Sequence, residues 1–224
     1  MKARRWAPVL GAGVLLLSGC SQLTPGTASV VDGSRIPTSQ VDDLAAAQCS
    51  AIEQAGQSGQ SSEVPLSSVK RQSLALLVDI QLDERFAADQ GVSAPRSLVT
   101  FIDQQLQTQV QGVKGRAGTV LSDVLSQYAA SRADVVQVAA EATGQKASPT
   151  NLDALLTEGL KQRDAWAKKV EIDTDARFNP GKDGRPGGGS GSVSQAGSDF
   201  AKQAGAEQAD PAFVASLPDS QKCG

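Results

Sequence analysis

Residues 28–37 read Ala28-Ser29-Val30-Val31-Asp32-Gly33-Ser34-Arg35-Ile36-Pro37. Two short β-favouring pieces, 28–31 and 34–36, flank the dipeptide Asp-Gly. That pair tolerates positive φ at both central positions of a type I′ turn, so an antiparallel hairpin is expected here. Pro37 has no N–H to continue a ladder and ends the second piece. Thr38 or Ser39 then stands where a helix N-cap belongs. Val41, Ala45, Cys49 and Ile52 recur on one face of a helix that this spacing carries to about residue 55.

Downstream of a Gln/Ser/Gly connector at 56–63, the helical period returns. Ser67 is expected to open the most apolar helix, through Leu74, Leu77, Val78, Leu82 and Phe86, with Gly91 as its left-handed cap. Residues 97–111 carry Leu98, Phe101, Ile102 and Leu106 in register. A turn through Gly112, Gly115 and Gly118 leads into Val120, Leu121, Val124, Leu125 and Tyr128. Ser131 with Asp134, and Thr150 with Asp153, read as acidic variants of the capping box, opening two further helices that end near Thr143 and Lys169. Residues 170–172 are β-favouring. The Gly/Pro-rich run 179–192 reads as flexible. Beyond it, 199–208 has weak helical character, and Phe213, Val214 and Leu217 offer a small docking surface.

Upstream of the hairpin, Lys2, Arg4 and Arg5 precede an uncharged run from Trp6 to Leu17, and then Leu17-Ser18-Gly19-Cys20. The run is about 12 residues, short of the roughly 20 that span a bilayer, and no stop-transfer charges follow, so residues 1–19 read as a signal peptide. Leu-Ser-Gly-Cys resembles the lipobox of bacterial lipoproteins. That resemblance implies cleavage after Gly19 and lipidation of Cys20, with residues 20–27 as a tether between the lipid bilayer and the fold. The expected place is the cell membrane, lipid-anchored, on the extracytoplasmic side. Stable anchoring takes two acyl chains or more, which a lipidated cysteine of this kind carries.

Cleavage leaves roughly 200 residues, enough for one domain with tails. The chain has 21 basic and 24 acidic side chains, which gives neither a basic excess for nucleic acid nor a polybasic patch for lipid headgroups. It has no histidine, which removes Ser-His-Asp and Cys-His nucleophile systems and imidazole acid-base chemistry. No catalytic residue and no cofactor is expected. Asp79, Asp83 and Glu84 share a helix, but nothing in the sequence sets them apart from its solvated face. Asp173, Asp175, Asn179 and Asp183 fail as a calcium loop, because Phe178 falls where glycine is required and Gly184 where a bidentate Glu is needed, so no metal is expected. Residues 187–191 lack the Lys-Ser/Thr of a phosphate loop.

Apart from Cys20, the cysteines are Cys49 and Cys223, an even pair in a chain read as exported. They are expected to form a disulfide that ties the C-terminal tail to the first helix. The alternative is two free thiols, one a small core residue and one on a frayed end.

The order of these elements is similar to a known family. Val30-Val31-Asp32-Gly33-Ser34-Arg35-Ile36-Pro37 resembles the opening of SurA and PrsA type chaperones. Leu76-Leu77-Val78-Asp79 through Phe86-Ala87-Ala88-Asp89-Gln90-Gly91-Val92-Ser93 resembles that family's long helix, and Val170-Glu171-Ile172 with Ala176-Arg177-Phe178 its closing strand. Asp32, Ala176 and Asn179 stand where the family has Asn, Pro and Gly. The resemblance implies a mainly α fold over 28–178: five or six helices closed by a small β-sheet from the N-terminal hairpin and a C-terminal strand. Residues 179–224 would form a flexible segment and tail. It also implies a noncatalytic holdase for unfolded or precursor exported polypeptides, without the parvulin domain, for which there is no room before the closing strand. Leu98, Phe101, Ile102, Leu106, Trp166 and Phe178 can line a client groove or serve as core. The rival reading is a structural or interaction lipoprotein that scaffolds a cell-envelope complex. A solute-binding lipoprotein fits less well, since those need two α/β lobes.

Overall fold

A computed structural model describes residues 23–57, 63–187 and 209–224. The fold is mainly helical, with a small antiparallel sheet built from the N-terminal strands and a later strand. Strands β1 (Thr27–Val31) and β2 (Ser34–Pro37) form the hairpin, with Val31 opposite Ser34 and Val30 opposite Arg35. Asp32 and Gly33 have φ of 46° and 81°, both positive, as a type I′ turn demands. Arg85 pairs with the Asp32 carboxylate and donates to Ser34 Oγ at 2.6 Å, so the turn is held from the long second helix.

Strand β4 (Ile172–Thr174) joins β1 on its other side and gives the order β2-β1-β4. The closing strand thus begins two residues later than the expected 170–172. Val170 N–H still bonds to Ala167 O at the end of a helix, and Glu171 contributes only its carbonyl, to Asp32 N–H at 2.8 Å. β1 is buried along its whole length. Its buried hydroxyls are satisfied, Ser29 Oγ with Thr174 Oγ1 at 2.8 Å and Thr27 Oγ1 with Thr24 Oγ1 at 3.1 Å.

The helices are α1 (Thr38–Gly56), α2 (Leu66–Gln90), α3 (Arg96–Gln107), α4 (Gly115–Thr143), α5 (Leu152–Ala167) and a short α6 (Pro211–Ser216). A two-residue strand, β3 (Val64–Pro65), precedes α2, and β5 (Lys222–Cys223) ends the chain. Where the first three helices begin differs from expectation. α1, α2 and α3 each follow a proline, Pro37, Pro65 and Pro95, whose φ of −73°, −62° and −65° sets the entry, and no side chain caps them. Thr38 Oγ1 is buried without a partner rather than capping α1. Gly91 and Gly144, at φ of 67° and 64°, close α2 and α4 with left-handed caps.

Expected as two helices, 115–143 is one. Nothing between residues 119 and 143 is Gly or Pro, and Ser131 lies inside the helix with its hydroxyl bonded back to Tyr128 O at 3.0 Å. Asp134 accepts instead from Ala94 N–H at 2.7 Å, which fixes the loop before α3. Thr150 likewise does not cap α5. It meets Ser148 Oγ, while Asn151 Oδ1 accepts from Ser148 N–H at 2.8 Å and the pair ties the α4–α5 loop.

α4 is the axis, packed against α1, α2, α3 and α5. Its side facing α3 and α5 is Ala129, Ala133, Val136 and Ala140, all buried, which brings the partner helices close. Gly159 of α5 sits so near that a Cβ there would lie 2.5 Å from Val135 O. The larger core cluster joins the sheet to α1, α2 and α4 through Val31, Ile36, Leu44, Leu74, Val78 and Leu121, with Phe178 beside them.

Residues 179–187, expected to be flexible, form a packed loop. Pro180 bridges Pro186, Gly181 N–H bonds to Arg185 O at 2.8 Å, and Gly184, at φ 77°, lies against the Ile172 carbonyl, where a Cβ would come within 2.0 Å. The stretch 199–208, expected to be weakly helical, the remainder of the run to 192 and the whole N-terminal segment through Cys20 lie outside the described residues. Among the described residues no helix is long and apolar enough to cross a membrane.

Candidate functional site

The six residues that the sequence offers as a groove are packed into separate parts of the core. Leu98 and Ile102 are buried with Phe101 and Leu106 partly buried between α3 and α4; Phe178 belongs to the cluster under the sheet. Trp166 leans on Phe86, ring centroids 5.7 Å apart, and donates to Asp89 at 2.9 Å. They do not form one groove, because the helix period marks an apolar face without saying which neighbour covers it.

Two other features stand out, and the first is charged. Asp79 and Asp83, one turn apart on α2, face α4 and α5, where Arg132 and Arg163 meet them. Arg163 Nη1 lies 2.9 Å from Asp79 and 3.0 Å from Asp83; Arg132 reaches the same two carboxylates at 3.4 and 3.3 Å. Asp83 is fully buried. Its loss of solvent pushes its carboxyl up to about 6, against the opposing pull of Arg132 and Arg163 and with a further push from Asp79. Arg132 also lies over the Tyr128 ring at 4.7 Å. The chain of charge continues through Asp164, 2.8 Å from Arg163, to Arg185 at 3.2 Å, which fastens the 179–187 loop. Two carboxylates face two guanidiniums, so the cluster is a clasp between three helices. The sequence reading placed Asp83 on the solvated face; its partners lie far along the chain, where no local spacing points to them.

The second feature is the seam along the C-terminal residues 209–224. α6 opens on Asp210, which accepts from Ala212 N–H at 2.7 Å, with Pro211 in the first turn. Val214 and Leu217 are buried, and β5 pairs antiparallel with β3, Val64 opposite Cys223. Cys223 and Cys49 of α1 are disulfide-bonded, Cα atoms 4.9 Å apart. Lys222 Nζ meets Glu63 at 3.0 Å, and that hydrogen bond raises the lysine's affinity for its proton. The site's apolar floor is Ala45, Ile52, Val64, Leu66 and Val69.

Two clefts open along this seam. One, of about 550 Å³, runs between Ala51, Ile52, Val64, Val69 and Leu121 on the body and Val214 on the tail, with Gln48 and Gln72 among its polar groups. The other, of about 300 Å³, lies between Leu66 and Lys70 on one side and Phe213 and Leu217 on the other. Volumes of this size suit a few apolar side chains. Among the described residues no group of His, Cys, Asp and Glu is arranged to hold a metal ion. The tail's apolar residues were legible in the sequence, and so was the α1 side of the floor, Ala45 and Ile52 beside Cys49; Val64, Leu66 and Val69 of β3 and α2 were not.

Compared with family models, with curated proteins and with solved structures, the chain finds no match in any of the three.

Proposed function

We propose that this protein is a noncatalytic holdase, anchored through a lipid on Cys20 to the extracytoplasmic face of the cell membrane, that holds apolar stretches of exported polypeptides. The observation that carries the reading is the pair of apolar clefts at the α1–β3–α2 junction. They combine open apolar walls with a neighbouring two-residue β-pair, the chemistry that an extended polypeptide presents in complement. A lipid tether would keep such a site near newly exported chains. The SurA and PrsA resemblance supports the same reading through the β2-β1-β4 order, with the late strand beside the first.

The test is light scattering of several unrelated, chemically unfolded proteins diluted into buffer with the mature chain. Suppression at near-stoichiometric ratio, lost in Ile52→Asp, is expected; protection of none at excess sinks the reading and favours a scaffold that receives one partner. Metabolic labelling with a tagged fatty acid tests the anchor: the label should be absent from Cys20→Ser.

A further inference from the structure

Residues 209–224 meet the body through an interface that is apolar, extended and bordered by open clefts. They cover Ala45 and Val69, with Ile52, Val64 and Leu66 partly buried alongside. They do so with a strand pair and two sunken side chains, Val214 and Leu217, which is how an extended peptide is commonly recognised: backbone pairing for affinity, pockets for alternate side chains. Clefts of about 300 and 550 Å³, open to solvent, remain between this segment and the body, so its margins are not sealed. To the segment's contacts is added one covalent fastening, the Cys49–Cys223 bond across a sequence separation of 174.

We infer that the C-terminal segment is an intramolecular strap that stands in for the client, resting on the client surface and giving way to it, with the disulfide controlling its release. This rests on the holdase reading of the same surface. A tethered competitor lowers apparent affinity in proportion to the fraction of time it occupies the site, and a tether keeps that fraction high. Cys49 is the less buried residue of the pair. A dithiol reductant, of the thiol–disulfide oxidoreductase class, attacks Cys49 Sγ as thiolate and forms a mixed disulfide. Cys223 leaves as thiolate and takes up a proton. The reductant's second thiol then displaces Cys49, so that two electrons pass to the protein, both cysteines end as thiols and the reductant ends as its own disulfide.

The experiment is fluorescence anisotropy with a fluorescein-labelled peptide of alternating leucine and serine, titrated with the mature chain in four forms: oxidised, reduced with dithiothreitol, Cys49→Ser/Cys223→Ser, and Val214→Asp/Leu217→Asp with the bond intact. Circular dichroism checks that each form is folded. Loss of the tether or of the two anchors should tighten binding by roughly tenfold or more. The anchor variant decides the matter if the cysteine variant does not fold. Binding by the oxidised chain that neither opening the bond nor removing the anchors improves overturns the strap and leaves the client surface standing. Binding in none of the four forms overturns the client surface and the strap with it.

Discussion

The clasp between α2, α4 and α5 and the seam beneath the C-terminal segment each join parts of the chain that are far apart in sequence, by opposite means. At the clasp, Asp83, Arg132 and Arg163 are buried, Asp79 is partly exposed at the rim, and the four meet at 2.9 to 3.4 Å. Those helices are also packed through small residues, with Gly159 against Val135. At the seam a disulfide, a two-residue strand pair and one ion pair hold a short segment, and open clefts remain beside it. A body that must stay closed invests in complementarity; a segment that comes and goes can be tied at a few points and left loosely packed. The difference is measurable, since loss at the clasp should be global and loss at the seam local.

The largest effect is expected from Arg163→Met. Removing one partner of a buried ion network leaves the remaining charges uncompensated, which costs about 3–5 kcal/mol, and Asp83 is fully buried. Urea unfolding followed by circular dichroism should show the midpoint fall for the whole helical signal in one transition. A loss under 1 kcal/mol would mean that the clasp is not tighter than the seam.

Cys49→Ser/Cys223→Ser comes next. A bond closing so long a loop stabilises the fold by about 2–4 kcal/mol in common experience, mainly through the unfolded state. The seam adds a second, local expectation: limited proteolysis under native conditions should cut within 209–224 in the variant and spare it in the oxidised chain, with α4 protected in both. Equal protection of the segment in both forms would show that packing holds it.

Acidity separates the regions as well. The Asp83 carboxyl is raised to about 6 from about 3.9 in an unfolded chain, so between these values the folded state binds the extra proton. The sign follows: this group's contribution to stability is fully present below pH 4 and is lost as pH rises through 6, worth about 2–3 kcal/mol over that window. Stability at pH 5 and pH 7, compared between the native chain and Asp83→Asn, isolates the group. The native chain should gain on acidification relative to the variant, and parallel curves would show that the two arginines cancel the burial.

Local backbone chemistry was legible in the sequence. Asp32-Gly33 forms its turn and Gly91 its cap because positive φ is decided by those residues themselves. Counting cysteines led to the Cys49–Cys223 pair, and the apolar Val214 and Leu217 marked the tail as something that docks. What was not legible depended on neighbours. Ser131 and Asp134 imitate a cap, but their hydroxyl and carboxylate serve Tyr128 and Ala94 within a continuous helix. Prolines 37, 65 and 95 precede α1, α2 and α3, where Thr38 or Ser39 and Ser67 were expected to open the first two. Leu98, Ile102 and Phe178 have the composition of a groove and the position of a core, and Asp83 became a buried charge only once α4 and α5 brought arginines to it.

The smallest effect should be the most discriminating, because it uses the same substitution in both regions. Leu155 of α5 is 3% exposed and Leu217 of the tail 7% exposed, so burial alone predicts similar losses on truncation to alanine. The surroundings differ. Leu155 is enclosed by α3 and α4, among Ala133, Val136 and Leu98, and a void there adds to the lost transfer energy, for about 2–5 kcal/mol in all. Leu217 already borders the 300 Å³ cleft, so shortening it enlarges an existing opening and leaves part of the former contact surface to water. About 1–2 kcal/mol is expected, the transfer of the removed atoms without an added void. Equilibrium unfolding of Leu155→Ala and Leu217→Ala under identical conditions gives the ratio. Equal losses would place the seam among the well-packed parts of the molecule and remove the physical basis for a strap that yields.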